Sequence, residues 1–206
     1  MYYSFLLETL PKLLLLQPFL ADDLERQVLM WDQPWEDDYL GMLGFNTEQK
    51  VKYDPDVVYF ATESLLYPSP VVHNEPSLNA MLATRAALNV AVLPAAERGL
   101  VIYCKGAANA SSAQHVDNED EIMAAIQTLV IPEDRFVIYD DALSMSAAST
   151  IELFEQAKVV IGPHGDGLSN ILFSAPGTQV SLKYTLMHAT PITVDASIYS
   201  AYAPNA

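Results

Sequence analysis

Residues 159–173 run Val-Val-Ile-Gly-Pro-His-Gly-Asp-Gly-Leu-Ser-Asn-Ile-Leu-Phe, and the residue types and spacing here can do chemistry on a phosphate. Gly162, Gly165 and Gly167 permit a sharp turn and let a ligand approach the backbone closely. Leu168, Ser169 and Asn170 open a predicted helix, with Ser169 and Asn170 able to cap it. A helix start offers unpaired N–H groups and the positive end of a dipole to an anion. His164 adds an imidazole that can donate to phosphate oxygens or move a proton, and it stands among glycines, where a side chain has little to pack against. Asp166 would repel an anion and is expected to cap the helix by accepting backbone N–H bonds. The plain alternative for the whole turn is a joint between strand and helix that binds nothing.

Such a turn needs a buried strand before it and a helix after it. Residues 159–161 are apolar and β-branched, as a buried parallel strand requires. From residue 100 onward the pattern alternates: strands over 100–104, 136–139, 159–161 and 179–184, helices over 118–129, 146–158 and 168–174. That alternation predicts a parallel sheet. Ligands of open parallel sheets sit beyond the carboxyl ends of the strands, an edge shared by Lys105, Asp140, Asp141 and His164. Upstream, the pattern predicts a helix over 4–16, a strand over 27–31 and a helix over 35–45. The last closes near Gly44 and has Tyr39, Leu40 and Leu43 on one side. A strand over 57–61, the connection Tyr67-Pro68-Ser69-Pro70 and a helix over 78–92 stopping before Pro94 follow.

The chain of 206 residues can bury one substantial core or two small ones. Its formal charge of −16 repels nucleic acid and anionic membrane surfaces, so no nucleic-acid partner is expected. The leucine-rich stretch 13–20 is broken by Gln17 and Pro18, is too short for a membrane span, and lacks the charged start of a secretion signal. No membrane contact is expected from it. Cys104, in an apolar strand pattern, reads as a core residue. His73, His115 and His188 are widely spaced and join no ligand cluster, and Asp140-Asp141 reads as a solvated strand-end pair, so no metal site is expected. A hydrolase would need a Gly-x-Ser-x-Gly elbow, which the chain lacks.

The glycine-and-histidine string, with Ala175-Pro176-Gly177-Thr178 and the strand after it, resembles the C-terminal signature of the family 61 glycosyltransferases. There an apolar strand runs into Gly-x-His-Gly-Ala-Gly-Leu-x-Asn, a short helix, Pro-Gly and another strand. Asp166 stands where the family usually has alanine. Residues 2–13, Tyr-Tyr-Ser-Phe-Leu-Leu-Glu-Thr-Leu-Pro-Lys-Leu, are similar to its Tyr-His-x-x-x-Glu-x-Leu-Pro-Arg-Leu helix, with Ser4 in place of the histidine. Residues 143–157 look like the helix leading to the histidine strand. Residues 101–105 and 117–121 are similar to a strand and an Asn-Glu pair opening a helix. The arginines usual between them are absent, Lys105 is the cation of that stretch, and 107–114 is small and neutral.

The resemblance implies an α/β fold: the Rossmann-like, C-terminal donor lobe of a GT-B-type glycosyltransferase plus part of the first lobe. Residues 1–76 would be a partial acceptor-side lobe and 77–206 the nucleotide-sugar lobe, the chain looking truncated at both ends relative to the family. It implies inverting transfer of a sugar, such as N-acetylglucosamine or a pentose, from a nucleotide-diphosphate donor to a glycan or glycoprotein hydroxyl. The donor, a UDP-sugar foremost, is a substrate, and no further cofactor is implied. Donor contacts fall on Lys105, Gly162, His164, Gly165, Gly167, Leu168, Ser169 and Asn170, and catalytic roles on His164 and Glu8. Glu8 would orient the acceptor or act as base, against the plain reading of an exposed helix glutamate. Asn118 and Glu119 most simply cap their helix. The absent arginines and Ser4 leave a non-catalytic or vestigial nucleotide-sugar-binding module as the alternative. The family implies the secretory pathway for a eukaryotic chain, and cytoplasmic or membrane-associated envelope synthesis for a bacterial one.

Overall fold

A computed structural model describes residues 2–33, 35–68, 77–106, 116–140 and 145–183. The chain divides into two compact units, Met1–Asn89 and Val90–Ala206. His73, His115, His188, Asp141, the prolyl connection from residue 69, the neutral stretch 107–114 and the C-terminal tail lie outside the described residues.

In the first unit helix α1, Tyr2–Ala21, buries Phe5, Leu6, Leu7, Leu10, Leu13 and Leu20. Pro11 has no N–H to offer the Leu7 carbonyl, and the turn before it, Phe5–Thr9, widens to π geometry with Leu10 N–H reaching Phe5 O. The helix then runs past Pro18, so it exceeds the predicted span of 4–16. At 20 residues it is long and apolar enough, by length and composition only, to cross a membrane. A buried core helix meets the same description, and six apolar side chains of this one are buried.

Strands β1, Val28–Met30, and β2, Lys50–Lys52, pair in parallel around helix α2, Glu36–Met42. Tyr39, Leu40 and Leu43 are buried on one side, as the pattern predicts. Gly44, at φ 74°, ends the helix: its N–H reaches Gly41 O and Phe45 N–H reaches Leu40 O, the paired bonds of a Schellman cap. The strand predicted over 57–61 is not formed. Asp54 turns the chain there, accepting from Asp56 N–H on its side chain and Val57 N–H on its carbonyl, and Val58 and Phe60 stay exposed. Helix α3, Leu78–Ala87, packs on α1 and stops short of residue 92, because Asn89 takes the left-handed conformation at φ 54°. It therefore belongs with the first unit, whereas the boundary expected after residue 76 gave it to the second.

In the second unit β3, Leu100–Cys104, β4, Arg135–Tyr139, β5, Ala157–Pro163, and β6, Gln179–Lys183, form a fully parallel sheet in the order β4-β3-β5-β6. Helices α4, Glu119–Leu129, and α5, Ala147–Glu155, join β3 to β4 and β4 to β5. Ser146 caps α5 by accepting from Ser149 N–H. Between β5 and β6 the predicted helix over 168–174 is a 3₁₀ run, Asp166–Phe173. Ala175-Pro176-Gly177-Thr178 is a tight turn with Gly177 at φ 82° and Thr178 N–H on Ala175 O. Thr178 Oγ1 then donates to Ala157 O and accepts from Arg98, tying β6 to β5. Because β4 lies on one side of β3 and β5 on the other, the direction in which successive strands are added reverses between β3 and β5. That is the switch point at which open α/β sheets take ligands.

Gly162 has a different task from the one its motif implies. A Cβ there would stand 2.7 Å from the Cys104 carbonyl oxygen and 2.9 Å from the Cys104 Cβ. The missing side chain serves the approach of β5 to β3 rather than that of a ligand. Gly162→Val should therefore lower stability by about 1–3 kcal/mol through overpacking, read as a lower denaturation midpoint. An unchanged midpoint would contradict this packing.

Candidate functional site

Three strands of the second unit deliver side chains to one edge. Lys105 follows β3, Asp140 follows β4, and His164 follows Pro163 at the end of β5. Lys105 N–H donates to Tyr139 O at 2.8 Å, which extends the β3–β4 ladder by one residue. Its ammonium lies 3.6 Å from an Asp140 carboxylate oxygen, both side chains partly exposed. A pair this long and this open contributes at most about 1 kcal/mol, so an incoming anion can compete for the lysine. His164 is exposed at the turn.

Gly165 begins the 3₁₀ run in an extended conformation, φ 171°, that any residue can adopt, and a Cβ there would meet nothing within 4 Å. Neither backbone strain nor internal packing requires a glycine at this position, and the space before it is open. Leu168 N–H makes a bond of the run back to Gly165 O at 3.2 Å. Leu168, Leu172 and Phe173 pack inward, and α5 and β5 lie against the run. Asn170, fully buried, donates from Nδ2 to Gly167 O at 3.0 Å, so it braces the turn from beneath instead of capping a helix. Ser169 is buried as well, its hydroxyl without a hydrogen-bond partner among the described residues. The cap position belongs to Gly165, with no side-chain bond there, so Asp166 is the first residue of the run and not its cap.

Glu119 does more than open α4. Its Oε1 accepts from Gly106 N–H at 2.8 Å and from the Tyr103 hydroxyl at 3.2 Å, which fastens the segment just after Lys105 to β3 and α4. Asn118 makes no side-chain cap bond. Burial foremost, then the charge of Glu119, pushes the Tyr103 phenol well above its ordinary pKa. An acidic residue in the first turn of a helix reads from sequence as a dipole partner, so this latch had no signal of its own. Glu8 lies in the π turn of α1, half-buried, in the first unit, while Lys105 and the turn 162–170 are together in the second. Among the described residues no group of three or more His, Cys, Asp or Glu side chains could hold a metal ion.

The second unit is thus an open parallel α/β sheet that carries a glycine-and-histidine turn at its switch point. The chain matches the Glycosyltransferase 61 family over residues 2–181, across both compact units, and belongs to that family. No curated protein matches it.

Two outcomes follow from this geometry. Gly165→Val should leave the denaturation midpoint unchanged yet abolish binding of UDP in calorimetry, because its side chain fills only the open space. A variant that binds UDP like the parent would put the ligand elsewhere. For Tyr103, a pKa raised on folding contributes stability that is complete below the unfolded value, about 10, and is lost as pH rises above it. Stability measured by denaturant should therefore fall above about pH 10, and less steeply in Glu119→Gln, where the charge opposing ionisation is gone. Equal slopes would contradict the latch.

Proposed function

We propose that this chain is an inverting, nucleotide-sugar-dependent glycosyltransferase whose donor diphosphate, UDP foremost, lies over the turn 162–170 at the switch point. Family membership supports glycosyl transfer as the reaction class. The observation that carries the finer reading is the open space before Gly165, flanked by exposed His164 and by Lys105 at the end of the neighbouring strand. The Gly165 amide precedes the bond from Leu168, borders the open space and suits an anion's oxygen.

In this reading the acceptor hydroxyl oxygen attacks the anomeric carbon of the donor sugar. The bond from that carbon to the diphosphate breaks, and the diphosphate leaves with the electron pair. His164 takes the hydroxyl proton. Lys105 and the turn amides match the charge that develops on the leaving diphosphate, an electrostatic contribution that is usually the largest in such transfers. Donor sugars in keeping with the family are N-acetylglucosamine or a pentose, and the acceptor is a glycan or glycoprotein hydroxyl. The donor lobe corresponds to the second unit and the acceptor side to the first.

A second reading, a module that binds nucleotide-sugar without transfer, is favoured by two features: Lys105 already faces Asp140, and Ser4 replaces the family's histidine. His164→Ala and Lys105→Ala separate the possibilities. His164→Ala should weaken UDP binding or turnover about tenfold or more, the worth of a charge-assisted hydrogen bond. Lys105→Ala should reduce both binding and rate if transfer occurs. Weak donor binding without transfer or donor hydrolysis by the 206-residue chain would mark the second reading. Donor affinity unaffected by either substitution would remove this site from both.

A further inference from the structure

Trp31 directly follows β1 and Tyr53 directly follows β2, so both stand at the carboxyl ends of the parallel pair in the first unit. Tyr53 N–H donates to Met30 O at 2.7 Å, which carries the ladder up to the rings themselves. The Trp31 and Tyr53 ring centroids are 4.9 Å apart in an edge-on contact. The chain then folds back through Asp54, and the Tyr59 ring lies nearly parallel to that of Tyr53, with centroids 6.1 Å apart. Tyr59 is pinned by its hydroxyl, which donates to Lys52 O at 3.0 Å and accepts from Asp54 N–H at 2.7 Å. Despite this fixed arrangement Trp31 remains 49% exposed and Tyr59 36%.

Rigid aromatic rings half open to solvent form a contact surface at low entropic cost. Their position adds a direction, since the carboxyl edge of parallel strands is where open α/β sheets take ligands. The surroundings select the ligand's charge. Asp54 and Asp56 are exposed in the segment that joins Tyr53 to Tyr59, Asp32 next to Trp31 is bridged to Lys50 and Lys52 at 3.1 and 3.3 Å so that both cations there are offset, and the chain as a whole carries −16. An anionic ligand is disfavoured there. A neutral polyhydroxylated ring is favoured: its C–H face meets the negative π faces, and its hydroxyls donate to the carboxylates.

We propose that Trp31, Tyr53 and Tyr59 form a ledge that holds a neutral sugar ring of the acceptor glycan. The proposal rests on the glycosyltransferase reading for the word acceptor, while the binding itself can be measured alone. Cellotetraose, xylotetraose and chitotetraose, with a galacturonic acid oligomer as anionic control, are titrated into the full chain and followed by saturation-transfer NMR and calorimetry. UDP is titrated in parallel. At least one neutral oligosaccharide should bind and the anionic one should not. Trp31→Ala should weaken that binding about tenfold or more, while Trp31→Phe keeps most of it and circular dichroism is unchanged in both. UDP binding should be the same in all three proteins, so its absence throughout would count against the donor site and leave the ledge standing. Failure of every neutral oligosaccharide to bind, or binding indifferent to Trp31→Ala, would overturn the proposal. So would a Trp31-dependent dimer in sedimentation with no effect of sugar, which would give the ledge to a second copy.

Discussion

β3 and β5 meet backbone to backbone at the end that matters, and Gly162 is what lets them. With no Cβ between its backbone and the Cys104 carbonyl, the two strands run side by side up to their carboxyl ends. Lys105 leaves one strand and His164 leaves the other at that point. A side chain at Gly162 would push the strands apart where the strand order reverses, and the edge that carries the turn would lose its geometry. Thr178 and Arg98 close the opposite end of the sheet, so β5 is held at both ends while the turn stays open.

Charge sets the second constraint. A chain of net −16 offers little attraction to a diphosphate from a distance. The proposed diphosphate binding therefore rests on fixed local donors: the turn amides, an exposed imidazole and one lysine with a loose carboxylate partner. Asn170 and Glu119 work behind them. One braces Gly167 from beneath, and the other fastens Gly106 just after Lys105. Neither need touch a ligand to decide where the donors point.

The sheet was legible because 100–104 and 159–161 are continuous apolar runs, the mark of strands buried on both faces. Gly44 and the Pro176-Gly177 turn were legible because only particular residues adopt those conformations. Other features had no local signal. Lys50-Val51-Lys52 holds a single apolar residue, so β2 was invisible, while the apolar run from Val57 looked like a strand and found no partner once Asp54 had turned the chain. Asn89 ended α3 with a left-handed residue that the alanine-rich pattern concealed. In the site, the glycine spacing located the turn correctly but assigned all its glycines one task. The structure separates Gly162, which packs against a strand, from Gly165, which packs against nothing. Sequence could not divide them, because the division depends on which backbone lies opposite.

The donor diphosphate is proposed to rest on the open face of the turn at the β3–β5 switch point. Backbone amide NMR with UDP added tests it most directly. The largest shifts are expected at Gly165, Gly167, His164 and Lys105, with β6 and the first unit little changed. Shifts centred elsewhere, with those four amides unmoved under saturating UDP, would contradict it.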